Sequence, residues 1–176
     1  FNEHAIQEFI EYHNQNGGIS RYIKIKYFLQ EILPKYVSTI HSYEKEYSRI
    51  LKKYSHYCKS FLYHCEITEG LEALRKKTKD MTWFIVSGGD QEELRDVFKY
   101  KNISKFFNGG IFGSPDSKDQ IIKREINKQN IKYPALLLGD SKLDHIAARS
   151  NNINFIFVSE WTEFQTYKDY CSKNNL

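Results

Sequence analysis

The 176-residue sequence has few of the residues that break or staple a chain: 3 Pro, 9 Gly and 3 Cys. So little Pro and Gly excludes collagen-like and low-complexity chains, and 40% hydrophobic residues argue against general disorder. Long apolar runs are missing. No stretch approaches the ~18 consecutive apolar residues of a membrane span, and the N-terminal FNEHAIQEFI has neither a basic nor an apolar signal region. An odd cysteine count, Cys58, Cys65 and Cys171, without a secretory signal reads as free thiols in a reducing compartment. A cytoplasmic protein with no membrane partner is expected. An excess of one charge is also lacking: the formal net charge is +4, spread along the chain, with no basic stripe interleaved with aromatics. No nucleic-acid partner is therefore expected. Met81 is the single methionine, so Phe1 is not a translation start, and an upstream segment is expected.

What is present divides into two grammars. The first ~80 residues read as helices. His4 to His13 carries Ile6, Phe9 and Ile10 on one stripe and breaks at Asn16, Gly17 and Gly18. Ser20 is placed to cap a second helix with Tyr22, Ile25, Phe28, Leu29 and Ile32, stopped by Pro34. A third runs from about Ser38 to His64, and Thr68 is placed to cap Glu69 to Lys79. The recurrent aromatics Tyr22, Tyr27, Phe28, Tyr43, Tyr47, Tyr54 and Tyr57 read as helix core. His56, Cys58, His64 and Cys65 match no common zinc spacing and read as helix packing.

After residue 80, short apolar runs alternate with helical patterns. The runs are Thr82 to Val86, Gly110 to Phe112, Ala135 to Leu138 and Asn154 to Val158. Continuous apolar strands separated by helices predict a parallel sheet covered on both faces. Asp90 with Glu93 and Ser117 with Gln120 have capping-box spacing at two helix starts.

In an open parallel sheet, ligands bind beyond the C-terminal strand ends. The first strand ends in Ser87-Gly88-Gly89-Asp90, a hydroxyl and a glycine turn suited to an anion, or an ordinary strand-to-helix turn. After the second, Lys118 lies in a first helical turn, where a cation opposes the dipole unless an anion is near. The third ends in Gly139-Asp140-Ser141-Lys142-Leu143-Asp144. Two carboxylates four residues apart suit Mg²⁺, or Asp140 or Ser141 merely caps the helix.

Ser87, Lys118 and Gly139-Asp140-x-x-x-Asp144, in that order at strand ends, resemble motifs II, III and IV of the haloacid dehalogenase-like hydrolases. The resemblance implies an α/β fold, a Rossmann-like core with a parallel sheet plus an α-helical C1 cap. It places the cap in residues 1–66 and the core in 67–176. Gly18-Ile19-Ser20-Arg21 is similar to the substrate-specificity loop of members like β-phosphoglucomutase and phosphoglycolate phosphatase, which would send Arg21 to the distal part of a substrate; a helix-surface position is the alternative.

By this resemblance the chain is a Mg²⁺-dependent phosphatase acting on a small phosphorylated metabolite through an aspartyl-phosphate. Ser87 and Gly88 would bind phosphoryl oxygens, and Lys118 would neutralise charge on phosphate and nucleophile. Asp140 would help hold Mg²⁺, while Asp144 supports the metal or orients Lys118. A sugar-phosphate mutase and a non-catalytic ligand-binding domain are the alternatives; dehalogenation fits the paired acids less well. One departure stands out: motif I, an Asp-x-Asp on the central strand, occurs nowhere in the 176 residues. The family's nucleophile is therefore expected upstream of Phe1, on a strand without which the sheet would hold unpaired backbone.

Overall fold

The computed structural model describes residues 2–38 and 42–176. Helix α1 (Glu3–Gln15) begins where Asn2 accepts from the His4 amide. The α2 helix (Arg21–Tyr27) starts where Ser20 accepts from Tyr22, and Phe28–Ile32 continues it as a wider π turn. Pro34 does not stop the chain before itself. It sits in the first turn of a tight 3₁₀ segment, Leu33–Lys35, where its missing N–H costs no hydrogen bond.

Helix α3 (Tyr43–His64) follows, and the start expected near Ser38 falls partly on 39–41, outside the described residues. The cap expected at Thr68 is displaced. Gly70, at φ 79°, turns the chain into α4 (Leu71–Lys77), and Thr68 contributes only its carbonyl to Leu71. A left-handed residue at that corner is cheapest as glycine.

The helical part has its own core. Ala5, Ile25, Phe28, Leu29, Ile32 and Leu33 are buried together, ringed by Phe9, Tyr12, Tyr43, Tyr47 and Tyr54. Each fully buried large side chain there contributes about 1.5–3 kcal/mol. Of the expected aromatic core residues, Phe28, Tyr43, Tyr47 and Tyr54 take part, Tyr22 lies outside the cluster, and Tyr27 and Tyr57 are exposed.

Strands β1 (Phe84–Asp90), β2 (Gly110–Ser114), β3 (Leu136–Gly139) and β4 (Asn154–Phe157) alternate with α5 (Gln91–Tyr100), α6 (Lys118–Asn127) and α7 (Lys142–Ser150); α8 (Tyr167–Asn174) closes the chain. β1 pairs with β2 and β3 with β4, both in parallel, and no ladder joins the two pairs among the described residues. β1 and β3 thus each have one unpaired edge. Ile122, Ala147, Ala148 and Ile153 bury a shared core that takes Val86 from β1 and Leu137 and Phe155 from β3 and β4.

Coverage of the sheet is incomplete. Leu136, Leu138 and Ile156 point to the open face of β3 and β4, 55%, 53% and 51% exposed, so that face lacks the expected helical layer. Among the described residues, no helix is long and apolar enough to cross a membrane.

Candidate active site

The C-terminal ends of β1, β2 and β3 bring the expected residues to one side of the α/β part. β1 bulges at its end: Val86 lies opposite Phe112, but Asp90, four residues on, lies opposite Ser114, only two residues on. The extra length takes Ser87, Gly88 and Gly89 out of register and lets β1 reach Asp90 instead of ending at Val86. Within the bulge, Ser87 Oγ accepts from the Gly89 amide at 3.0 Å.

The turn between α1 and α2 lies directly on this bulge. A Cβ at Gly88 would stand 2.6 Å from the Gly18 carbonyl oxygen, and one at Gly18 would reach Ser141 Oγ at 3.0 Å. The Gly18-Ile19-Ser20-Arg21 segment therefore covers the ends of β1 and β3 together.

Lys118 opens α6, capped by a complete box in which Ser117 accepts from Gln120 N–H and Gln120 accepts from Ser117 N–H. Its ammonium bonds to Asp144 Oδ1, with side chains 14% and 4% exposed. Asp144 is the hub of the site. Its Oδ2 accepts from the Ser141 hydroxyl at 2.6 Å and the Ser141 amide at 3.2 Å, and Ser141 Oγ accepts from the Asp144 amide. Ser141 and Asp144 thus form a capping box, and the same carboxylate anchors Lys118. The cost of a lysine in a helix's first turn is offset by this buried carboxylate.

Asp144 thus takes Lys118 on one oxygen and Ser141 on the other, the geometry of a carboxylate that orients the lysine. Asp140 is exposed, with its backbone carbonyl accepting from Thr162 Oγ1 at 2.5 Å. Its carboxylate is one hard ligand suited to Mg²⁺, but among the described residues no group of three or more His, Cys, Asp or Glu side chains could hold a metal ion. The residues present do not make a magnesium site by themselves.

Arg21 is engaged by the first turn of α5, just past the end of β1. Its Nη1 lies 2.7 Å from both Glu93 oxygens, and its guanidinium stands over the Tyr54 ring at 4.8 Å. Neighbouring links follow one face of α5. Asp90 accepts from the Tyr22 hydroxyl at 2.5 Å, and Asp96 from Lys59 at 2.7 Å. Asp90, Glu93 and Asp96, three residues apart, are each met by a side chain from α2 or α3. The bond to Asp90, then burial, pushes the Tyr22 hydroxyl up to about 12. Asp90 also caps α5 by accepting from the Glu93 amide, but the reciprocal half of that expected box is missing, because the Glu93 carboxylate is spent on Arg21. A cleft of about 370 Å³ runs along this seam, lined by Arg21 and Tyr22, which pair with Glu93 and Asp90 across it, and by Lys59, which pairs with Asp96.

His145, next to Asp144 on α7, is buried, and its Nδ1 lies 2.8 Å from the Tyr170 hydroxyl. The acidic stripe on α5 was visible as i, i+3, i+6 spacing; its partners, up to 72 residues away, were not.

A family model described as haloacid dehalogenase-like hydrolase matches residues 2–158. A solved structure of a haloacid dehalogenase-like family hydrolase from Streptococcus pneumoniae is similar at a TM-score of 0.57 and 19% identity, covering 94% of this chain and 81% of that one. At that identity it shows the fold alone. No curated protein matches the sequence.

Proposed function

The chain belongs to the haloacid dehalogenase-like hydrolases, and from that membership we propose that it carries most of the site of a Mg²⁺-dependent phosphatase for a small phosphorylated metabolite. The observation that carries this reading is the convergence of the Ser87-Gly88 bulge and the Asp144-anchored Lys118 at neighbouring strand ends. The Ser87 hydroxyl and the bulge would donate to phosphoryl oxygens, and the Lys118 ammonium would offset charge that grows as the bond to phosphorus forms. Asp144 keeps Lys118 aimed. Residues 1–66 would act as a cap, its Gly18 turn excluding water from the strand ends.

We propose that the attacking carboxylate comes from outside these 176 residues, which hold no Asp-x-Asp. In this proposal it arrives on a strand that pairs with the open edges of β1 and β3. Its carboxyl would bond to phosphorus as the alcohol leaves, and water would then release phosphate. Asp140 would contribute one ligand to a magnesium ion whose other carboxylates the chain does not supply.

The test is phosphate release by the natural full-length protein from a panel of small phosphomonoesters. Lys118→Ala and Asp140→Asn are expected to lower kcat/KM by about 10²–10³, the usual cost of a lost charge-stabilising group, while cooperative unfolding is kept. Turnover unchanged by both substitutions refutes the site. A full-length protein that binds phosphate but releases none is a ligand-binding domain instead.

A further inference from the structure

The Gly88–Gly89 peptide at the end of β1 is held by a serine hydroxyl on each side. Ser114, 1% exposed at the end of β2, donates to the Gly88 carbonyl at 2.7 Å. This bond replaces the ladder pairing that the bulge removes. In a trans peptide the carbonyl of one residue and the N–H of the next point to opposite sides. Fixing the Gly88 carbonyl on Ser114 therefore turns the Gly89 N–H away from β2, and there it meets Ser87 Oγ at 3.0 Å.

Gly113 permits the approach. A Cβ at that position would lie 2.3 Å from the Gly89 carbonyl oxygen and 3.2 Å from the Gln91 amide nitrogen.

The geometry points to Ser114 as a positioning residue for phosphate binding, acting on Ser87 through the Gly88–Gly89 peptide. A serine oxygen that accepts from a backbone N–H still has its own proton to give, and that proton is the one an anion at the strand ends would receive. The three bonds run in one direction: Ser114 O–H to Gly88 carbonyl, Gly89 N–H to Ser87 oxygen, Ser87 O–H to phosphate. Each bond in such a chain polarises the next. Ser114 touches no substrate in this scheme; it decides where the Ser87 hydroxyl points. The role rests on the phosphate-binding reading proposed above.

The test uses the natural full-length protein with inorganic phosphate as ligand and a chromogenic aryl phosphate monoester as substrate. Ser114→Ala is expected to weaken phosphate binding, followed by the Gly88 and Gly89 amide shifts, by about tenfold, and to raise KM more than it lowers kcat. Ser114→Cys keeps the size with a weaker donor, falls between, and carries the comparison if the alanine variant does not fold. Ile153→Val trims the buried core away from the site and is expected to lose stability with phosphate affinity unchanged. Phosphate affinity within about twofold of wild type in Ser114→Ala, or a loss matched by Ile153→Val, overturns the role. A wild-type protein that neither binds phosphate nor hydrolyses the ester overturns the phosphate reading itself, before any variant is compared.

Discussion

The link between Arg21 and Glu93 distinguishes a structural fastening from a substrate contact, and a double-mutant cycle separates the two. The side chains are 10% and 7% exposed, and one guanidinium nitrogen lies 2.7 Å from both carboxylate oxygens. Replacing Arg21 by Met leaves the Glu93 carboxylate buried with its counter-ion gone. Removing one member of a buried pair costs about 3–5 kcal/mol, whereas replacing both members by apolar residues of similar volume is close to neutral. Arg21→Met and Glu93→Met are each expected to lose about 3 kcal/mol, and the double variant no more than about 1 kcal/mol.

Urea unfolding of the four proteins reads this directly. With a slope of about 2 kcal/mol per molar for a chain of this size, each single variant should shift its midpoint down by roughly 1.5 M. The coupling energy should exceed about 2 kcal/mol. Single substitutions that cost under about 1 kcal/mol, or a coupling near zero, refute the fastening. Arg21→Met that weakens substrate binding at unchanged stability returns Arg21 to the substrate-reading role that the Gly-Ile-Ser-Arg resemblance implies.

Two further outcomes follow from the same geometry. Asp144→Asn keeps the size and the capping acceptor but removes the charge that anchors Lys118; thermal unfolding should show a loss of about 1–3 kcal/mol, and an unchanged midpoint would mean the pair is not formed in solution. The His145 pKa is held below its ordinary 6.5 by burial and then by Arg149, and that of His13 by burial and then by the Lys24 ammonium. The folded protein takes up these protons less readily than the unfolded chain does. Their contribution to stability is therefore complete above about pH 6.5 and is lost as the pH falls below that toward and through their lower folded-state pKa values. Tm is expected to drop between pH 7.5 and 5.5, by less in His145→Gln, and an equal drop in the variant would remove His145 from the argument.

Local signals were legible where a local force decides the outcome. The apolar runs became strands within four residues of their expected bounds, and the Ser117 and Gln120 spacing became a complete box because Gln120 is free to bond back to the Ser117 amide. Glu93 has the same spacing from Asp90, yet its carboxylate goes to Arg21, because an ion pair with a buried guanidinium outweighs a back-bond to one backbone amide. The distant partner, not the spacing, decides that case. Thr68 failed as a cap for a different reason: Gly70 two residues on can adopt the positive φ that starts the helix later.

The strand ends were legible as chemistry but not as architecture. By spacing, Asp140 and Asp144 are two similar acids, and the orienting of Lys118 by Asp144 is one of two roles that only the resemblance offers; spacing alone does not reveal that one is spent on Ser141 and Lys118 while the other is exposed. That division has a physical cause. A carboxylate at the third position of α7 can turn back to accept from the Ser141 amide, which places it on the flank where α6 delivers Lys118. Asp140 precedes the cap, and its backbone is held by Thr162 from the loop beyond β4. The bond that closes the helix start therefore also fixes the lysine, so Asp144 variants should alter helix stability and lysine placement together. Asp140 variants should leave both unchanged and act only through whatever its carboxylate binds.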